Sequence, residues 1–511
     1  MVNLRRFHAG WWLIAAVMLA VCGTRDLAGQ EIVQLAKDTR VAEAGYYRIV
    51  TLPLPAGVQC EAGQMVFLPG DRLAISTRTG DIFIGEGVYN EPPEIKWTQF
   101  ASGLHEVLGM AYRDGWIYAV QRPEVTRLKD TDGDGRADLF ECFCDDWVID
   151  GNYHEYAFGS KFDREGNLWV ALCLTGSNLG TNPFRGWAMR ITPDGQAIPT
   201  CSGLRSPGGI GFNAAGEVFY TDNQGNWNGT GPLRQLIPGE FEGNPESLRW
   251  YDDPLTRDRV HATGMVRPET PRAGTRLYDE AKHIPLLHPP AVYFPYKKMG
   301  QSATAILTDE TGGKFGPFAG QMFVCDLTHS SVMRICLEKV AGRYQGACFP
   351  FRFGFASGNL AAEYGRDGSL FVYGTDRGWG CLGGKPFALQ RLIWTGQVPF
   401  EIREMHARPD GFELTFTQPV DPVCFEAEGA CQFQTYTYIY QPSYGSPEVD
   451  KTVPTLRKVV VAPDGLSARL SIDGLVPGHV HEMHFPGVHS ATGAPLLHEA
   501  AYYTLNALPV D

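Results

Sequence analysis

Residues 164–172 read REGNLWVAL: a turn ending in Gly166, one polar residue, then a run of aromatic and aliphatic side chains. The same element recurs as LPGDRLAIS (68–76), RDGWIYAV (113–120), AAGEVFYTD (214–222), FAGQMFVCD (318–326) and RDGSLFVYG (366–374). Its glycines, Gly70, Gly115, Gly166, Gly216, Gly320 and Gly368, fall in steps of about 50 residues with one double step, the length of a four-stranded propeller blade. Glycine suits such a turn because it adopts positive φ without steric cost, and the following strand alternates as a half-buried ribbon should. Six signals predict an all-β chain built on a six-bladed β-propeller over residues 30–400. The double step covers residues 240–295, where PESLRWYDDPLTRDR (245–259) and VRPETPRAGTR (266–276) are rich in proline and charge. They read as an inserted excursion rather than a seventh blade.

Beyond Gly396 the repeat stops. DGFELTFTQPV (410–420), LRKVVVAPDG (456–465) and ARLSIDGL (468–475) are short strands between turns. Their spacing predicts a small Ig-like β-sandwich over 401–511. Composition agrees: 59 Gly and 35 Pro in 511 residues, with 12% aromatics, suit many turns and short strands and exclude an all-helical protein. A hydrophobic share of 44% excludes wholesale disorder.

The formal charge of −13 argues against nucleic acid and anionic membrane surfaces as partners. Arg5 and Arg6, the apolar run from Gly10 to Cys22 and the small residues up to Gly29 describe a secretory signal peptide over 1–29. That run is too short to span a bilayer, and no later stretch is apolar enough. The expected destination is periplasmic, secreted or at the cell surface. Lipid anchoring at Cys22 is the weaker reading, because Val21 is bulky for a lipobox. Cys142/Cys144, Cys325/Cys336 and Cys424/Cys431 are local pairs that an oxidising compartment could bridge, although spacing alone does not decide pairing. No Cys-x-x-Cys-His occurs, so no covalent haem is expected.

Three stretches carry candidate chemistry. DTDGDGRADLFE (130–141) places Asp130, Asp132, Asp134, Asp138 and Glu141 at positions 1, 3, 5, 9 and 12 of the calcium-loop template, with Gly135 at 6 and Arg136 at 7. Its flanks read as strands, so this is a Ca²⁺ loop in a hairpin rather than an EF-hand; the bland alternative is an acidic β-turn. Gly151-Asn152-Tyr153-His154-Glu155 precedes a blade strand, where propeller loops reach the channel mouth. His154 there is placed to serve as a general base, or as a hydrogen-bonded structural histidine. Finally, GLRSPGGIG (203–211) leads to TDNQGNWN (221–228), in which Asp222, Asn223, Gln224, Asn226 and Trp227 could hold a metal, a sugar or a flat cofactor, or form an Asx-rich turn network.

Taken in order, these segments resemble the glucose/sorbosone dehydrogenase family, whose soluble members are six-bladed propellers using pyrroloquinoline quinone (PQQ) and Ca²⁺. The likeness runs from about residue 65 to 395. It is carried by GDRLAISTRTGDI (70–82), KFDREGNLWVAL (161–172), GLRSPGGIGFNAAGEVFYTDNQG (203–225), ATAILTDETGGKFGPFAGQMFVCDL (303–327) and EYGRDGSLFVYGTD (363–376). The whole chain is similar to large secreted bacterial propellers of "membrane-bound dehydrogenase-type". The resemblance implies His154 as general base and Arg205 as polariser of the quinone carbonyl. It also implies Lys297 or Lys298, in FPYKKMGQSA (294–303), near the cofactor carboxylates. One departure is that Gly358–Glu363 lacks the arginines that the family's sixth blade usually brings. The expected function is an exported quinoprotein dehydrogenase oxidising a sugar or other alcohol. A non-catalytic propeller binding carbohydrate, a polysaccharide or a protein is the alternative. A Ca²⁺-dependent lactonase or hydrolase, with Asp222, Asn223 and Asn226 around a central metal, is the second.

Overall fold

Each of the six turn glycines sits at positive φ, between 78° and 87°, and opens the second strand of an antiparallel blade, four-stranded in five cases and part of an eight-stranded sheet after Gly320. The computed structural model describes residues 39–174, 182–378 and 380–510. The signal-peptide reading of 1–29 and Cys22 therefore lies outside the described residues. Five sheets run in chain order over residues 62–101, 109–144, 157–202, 207–294 and 303–352. The sixth takes three strands from 359–394 and its outermost strand, Tyr47–Leu52, from the other end of the chain. That strand pairs in register with Leu389–Trp394 and closes the ring. The structure is thus the six-bladed propeller predicted from the repeat.

The first strand of every blade lies innermost, and glycine lets these strands approach one another. A Cβ on Gly109 would stand 2.0 Å from the carbonyl oxygen of Gly159, and one on Gly208 would stand 2.1 Å from that of Ala303. Hydroxyls stitch the same seam: Thr221 Oγ1 donates to Thr304 O at 2.8 Å, and Thr304 Oγ1 donates to Asn359 O at 2.7 Å. Hydrophobic clusters fill the wedges between blades, for example Tyr118, Val170, Trp187 and Leu248 in the largest.

The excursion is an insertion within blade 4, between its third strand, Gly231–Gln235, and its fourth, Val292–Phe294. It carries a 3₁₀ helix, Pro245–Tyr251, and two short helices, Arg257–Ala262 and Leu277–Ala281. The last part of the stretch assigned to the excursion therefore belongs to the blade itself.

The C-terminal residues form two four-stranded sheets rather than a domain hung on a linker. One, built from 432–438, 448–452, 479–484 and 500–505, continues blade 5: Tyr502–Thr504 pairs with Gly346–Cys348. The other holds 402–408, 411–416, 455–461 and 467–473. Phe412, Leu414, Leu470 and Tyr503 pack between them together with Phe349 of blade 5, so propeller and sandwich share a core.

No disulfide occurs among the described residues, and the local cysteine pairs are unbridged. Strand register explains one of them. Cys325 faces Val332, which puts Cys336 four residues along the neighbouring strand, roughly 13 Å away and beyond disulfide reach.

Candidate active site at the channel mouth

The second strand of each blade ends where the first strand of the next begins, so the residues following it gather on one face around the axis. These positions hold Arg78, Arg122, Cys173, Asn223, Leu327 and Arg377, one from each blade. All but Arg122 line a cavity of about 150 Å³ at the axis, with Tyr153, His154, Tyr156, Ser206, Ser302 and Leu360.

His154 is half-buried and packs edge-on against Tyr153 (5.1 Å between ring centroids) and Tyr156 (6.3 Å). Its loop is held by an Asx contact from His154 N to Asn152 Oδ1 at 3.0 Å. Burial, then the positive charges of Arg205 and Arg122, lower the His154 pKa below its ordinary 6.5. The ring is neutral at neutral pH and able to take a proton.

Two buried carboxylates organise the arginines. Glu106 holds Arg78 at 3.1 Å, Arg122 at 3.3 Å and Arg377 at 3.7 Å. Glu61 holds Arg377 at 2.6 Å. Burial raises the Glu61 pKa, but the hydrogen bonds from Arg377 and Gln59 and the charges of Arg377 and Arg78 together outweigh that, and the carboxyl titrates below its usual value. Arg78 and Arg122 also lie over the Tyr156 ring, at 5.1 and 5.5 Å. The mouth is therefore a positive rim with fixed guanidiniums, a neutral imidazole and two phenols, suited to a flat anionic group bearing carboxylates.

The sequence candidates divide. His154 and Asn223 line the cavity. Arg205 does not: its Nη1 donates to Gln224 O at 2.8 Å and its guanidinium lies over the Tyr444 ring at 5.1 Å, while its charge acts on His154. Asp222 is buried and accepts from the backbone N–H groups of Arg205, Ser206 and Asn223 at 2.9, 2.7 and 2.8 Å. Asp326 does the same for Gln301 and Ser302 in blade 5, which makes this aspartate a fastener of the blade entry. Gln224, Asn226 and Trp227 face the sandwich. Gln224 donates to Gly229 O and packs on Gly445, Asn226 Nδ2 donates to Pro442 O, and the Trp227 ring sits 4.8 Å from that of Tyr440. Asp222, Asn223 and Asn226 thus do not converge on a central metal. Lys298 is bound to Glu482 at 2.6 Å and Glu448 at 2.7 Å, both on the sandwich, and Lys297 lies by the Tyr296 ring.

The acidic loop is a hairpin turn between Val125–Lys129 and Leu139–Cys144. Ligand atoms of Asp130, Asp132 and Asp134 lie within 4.8 Å of one another. Asp138 instead accepts from Thr131 N at 2.8 Å, and Glu141 is paired with Arg127 at 2.5 Å. Arg136 contributes a backbone N–H to Asp134 at 2.8 Å. The full calcium-loop set is not assembled, because the hairpin points its last two acids elsewhere.

Arg78, Arg122 and Arg377, with Glu61 and Glu106, were missed by sequence reasoning. Aligning the six repeats one or two residues past the second strand would have exposed the ring of positions.

No curated protein matches the chain. Similar solved structures include a protein assigned as an oxidoreductase (glucose dehydrogenase) from Thermus thermophilus, 18% identical, covering 68% of this chain and 100% of that one, with a TM-score of 0.48. Another is the PQQ-bound aldose sugar dehydrogenase of Streptomyces coelicolor, at 15% identity, 68% and 98% coverage and a TM-score of 0.45. A third is the PQQ domain of pyranose dehydrogenase from Coprinopsis cinerea, at 10% identity, 68% and 95% coverage and a TM-score of 0.45. Among family models, residues 94–347, just under half of the chain, match a domain of unknown function (DUF7133).

Proposed function

We propose that this protein is a quinone-dependent dehydrogenase that oxidises a sugar or other alcohol at the channel mouth, with His154 as the general base. The observation that carries this reading is a neutral histidine on the wall of an axial cavity that Arg78 and Arg377 also line. The donor set fits PQQ, a planar tricarboxylate: Arg78 and Arg377, from blades 1 and 6, would hold its carboxylates, although Gly358–Glu363 has no arginine. Lys298 and Arg205, engaged elsewhere, are not part of that set. When bound, PQQ supplies a two-electron acceptor for hydride. His154 takes the substrate hydroxyl proton, most readily in its neutral form. Glu61 and Glu106 hold the arginines in place, and Tyr153 and Tyr156 wall the base on one side.

The test is titration of the purified chain with PQQ, followed by dye reduction over a panel of aldoses and alcohols. Wild type is expected to bind and turn over. His154→Ala is expected to keep PQQ binding and lose about 10²–10⁴-fold in rate. Failure of wild type to bind PQQ sinks the proposal.

We further propose that Asp130, Asp132 and Asp134 hold a structural Ca²⁺. With Glu141 held by Arg127, the set lacks a bidentate twelfth-position ligand, so binding is weak. Chelation is expected to lower the thermal midpoint slightly in wild type and not in Asp132→Asn. Equal shifts in both would remove the site. Export through residues 1–29 belongs to the same proposal and is checked by N-terminal sequencing of the secreted fraction.

A further inference from the structure

The excursion of blade 4 encloses a second cavity, far from the channel axis. It holds about 210 Å³ and is bounded by blade 4, the excursion, the tip of the blade 5 hairpin and the C-terminal tail. Glu240 and Glu242 both line it. They are two residues apart on an extended stretch, which directs them to the same side.

Glu242 is the unusual group. It is only 5% exposed and lines the cavity. The nearest cation is Arg234 at 3.9 Å. Burial and then the opposing pull of Arg234, with repulsion from Glu240, leave its pKa raised to about 8. A carboxyl at a cavity wall, held by the protein through one long ion pair, is able to hydrogen-bond a molecule within the cavity.

The charges say what kind of partner. Arg343 is paired with Glu240 at 2.7 Å, Arg234 with Glu242, and Lys282 with Asp279 at 2.8 Å. Because Glu242 is largely protonated at neutral pH, Arg234 is at most partly matched, so the wall carries no more than a single net positive charge and offers no array of like charges to a multiply charged ligand. The rest of the lining is aromatic and aliphatic, with Phe241, Tyr278 and Tyr344 among it. A neutral molecule that offers hydroxyl donors to Glu242 and Glu240, accepts from Arg343 and lays a C–H face on an aromatic ring meets every condition.

We propose that this cavity is a second carbohydrate site, taking one neutral monosaccharide unit, with Glu242 as its central hydrogen-bonding group. It is separate from the channel mouth and does not depend on the dehydrogenase reading.

The test is calorimetric titration of the full chain with D-glucose, D-galactose, D-xylose and D-sorbitol. At least one is expected to bind to wild type and to His154→Ala alike. Glu242→Gln keeps the volume and is expected to weaken that binding at least tenfold. Ala281→Phe, which fills the cavity from the helix Leu277–Ala281, is expected to abolish it. The proposal is overturned if none of the four binds, or if binding survives unchanged in Ala281→Phe. It is also overturned if binding is lost in His154→Ala and kept in Glu242→Gln, which would place the sugar at the channel mouth.

Discussion

At His154, burial and two guanidinium charges act in the same direction, and both favour the unprotonated ring. A base whose pKa lies below 6.5 keeps its acceptor form as the medium turns mildly acidic. The acid limb of kcat/KM for sugar oxidation is therefore expected below pH 6.5, falling as pH drops through the His154 pKa. A limb at pH 7 or above would assign the base to another group. Glu106 tests the surrounding network. Glu106→Gln removes the charge that holds Arg78, Arg122 and Arg377. Its loss is expected to raise the apparent Kd for PQQ about tenfold or more through misplaced guanidiniums, read by fluorescence titration. An unchanged Kd would make the network purely structural.

Among the blades, glycine has two separable duties. At Gly70, φ is 78° and a Cβ would meet nothing within 4 Å, so Gly70→Ala costs only left-handed strain, about 1–2 kcal/mol. At Gly208 a Cβ would run into the Ala303 carbonyl, and the inner strands of two blades must move apart. Gly208→Ala is expected to lower the urea midpoint more than Gly70→Ala. The reverse order would show that the inner seam is slack. The first duty was legible in the sequence because a positive-φ turn followed by a buried strand leaves the same local imprint six times. The second was not, since the partner of Gly208 is nearly a hundred residues away and only blade packing brings it close. The site divides in the same way. His154 stood out because it precedes a strand start. Arg78 and Arg377 come from opposite ends of the propeller, each in unremarkable local sequence, and only ring closure makes them neighbours. The polar run 221–228 divides for the converse reason: Asn223 lines the cavity, whereas Gln224 donates to Gly229 O nearby and Asn226 to Pro442 O of the sandwich, a partner more than 200 residues away.

Across the whole molecule, the two ends of the described chain are tied at one buried point. His498 in the sandwich contacts Glu401 at 2.6 Å and Glu43, just before the ring-closing strand, at 3.1 Å; Arg352 of blade 5 completes the group at 2.9 Å from Glu43. Burial alone would lower the His498 pKa, but the two carboxylates outweigh it and raise it to about 9. A raised histidine pKa contributes stability that is fully present below about pH 6.5 and is lost as pH rises toward 9. The denaturation midpoint is expected to fall over that window in wild type and to be nearly flat there in His498→Gln. His498→Ala takes the buried partner from Glu401 and leaves Glu43 with Arg352 alone, and is expected to cost about 3–5 kcal/mol. The tie also orders events during synthesis. The strand Tyr47–Leu52 is made long before its place in blade 6, which residues 389–394 form, and the neighbouring Glu43 waits for His498. Until residues 389–394 have left the ribosome, the strand Tyr47–Leu52 has no blade to join, and the nascent protein remains an unclosed ring that a chaperone can still thread.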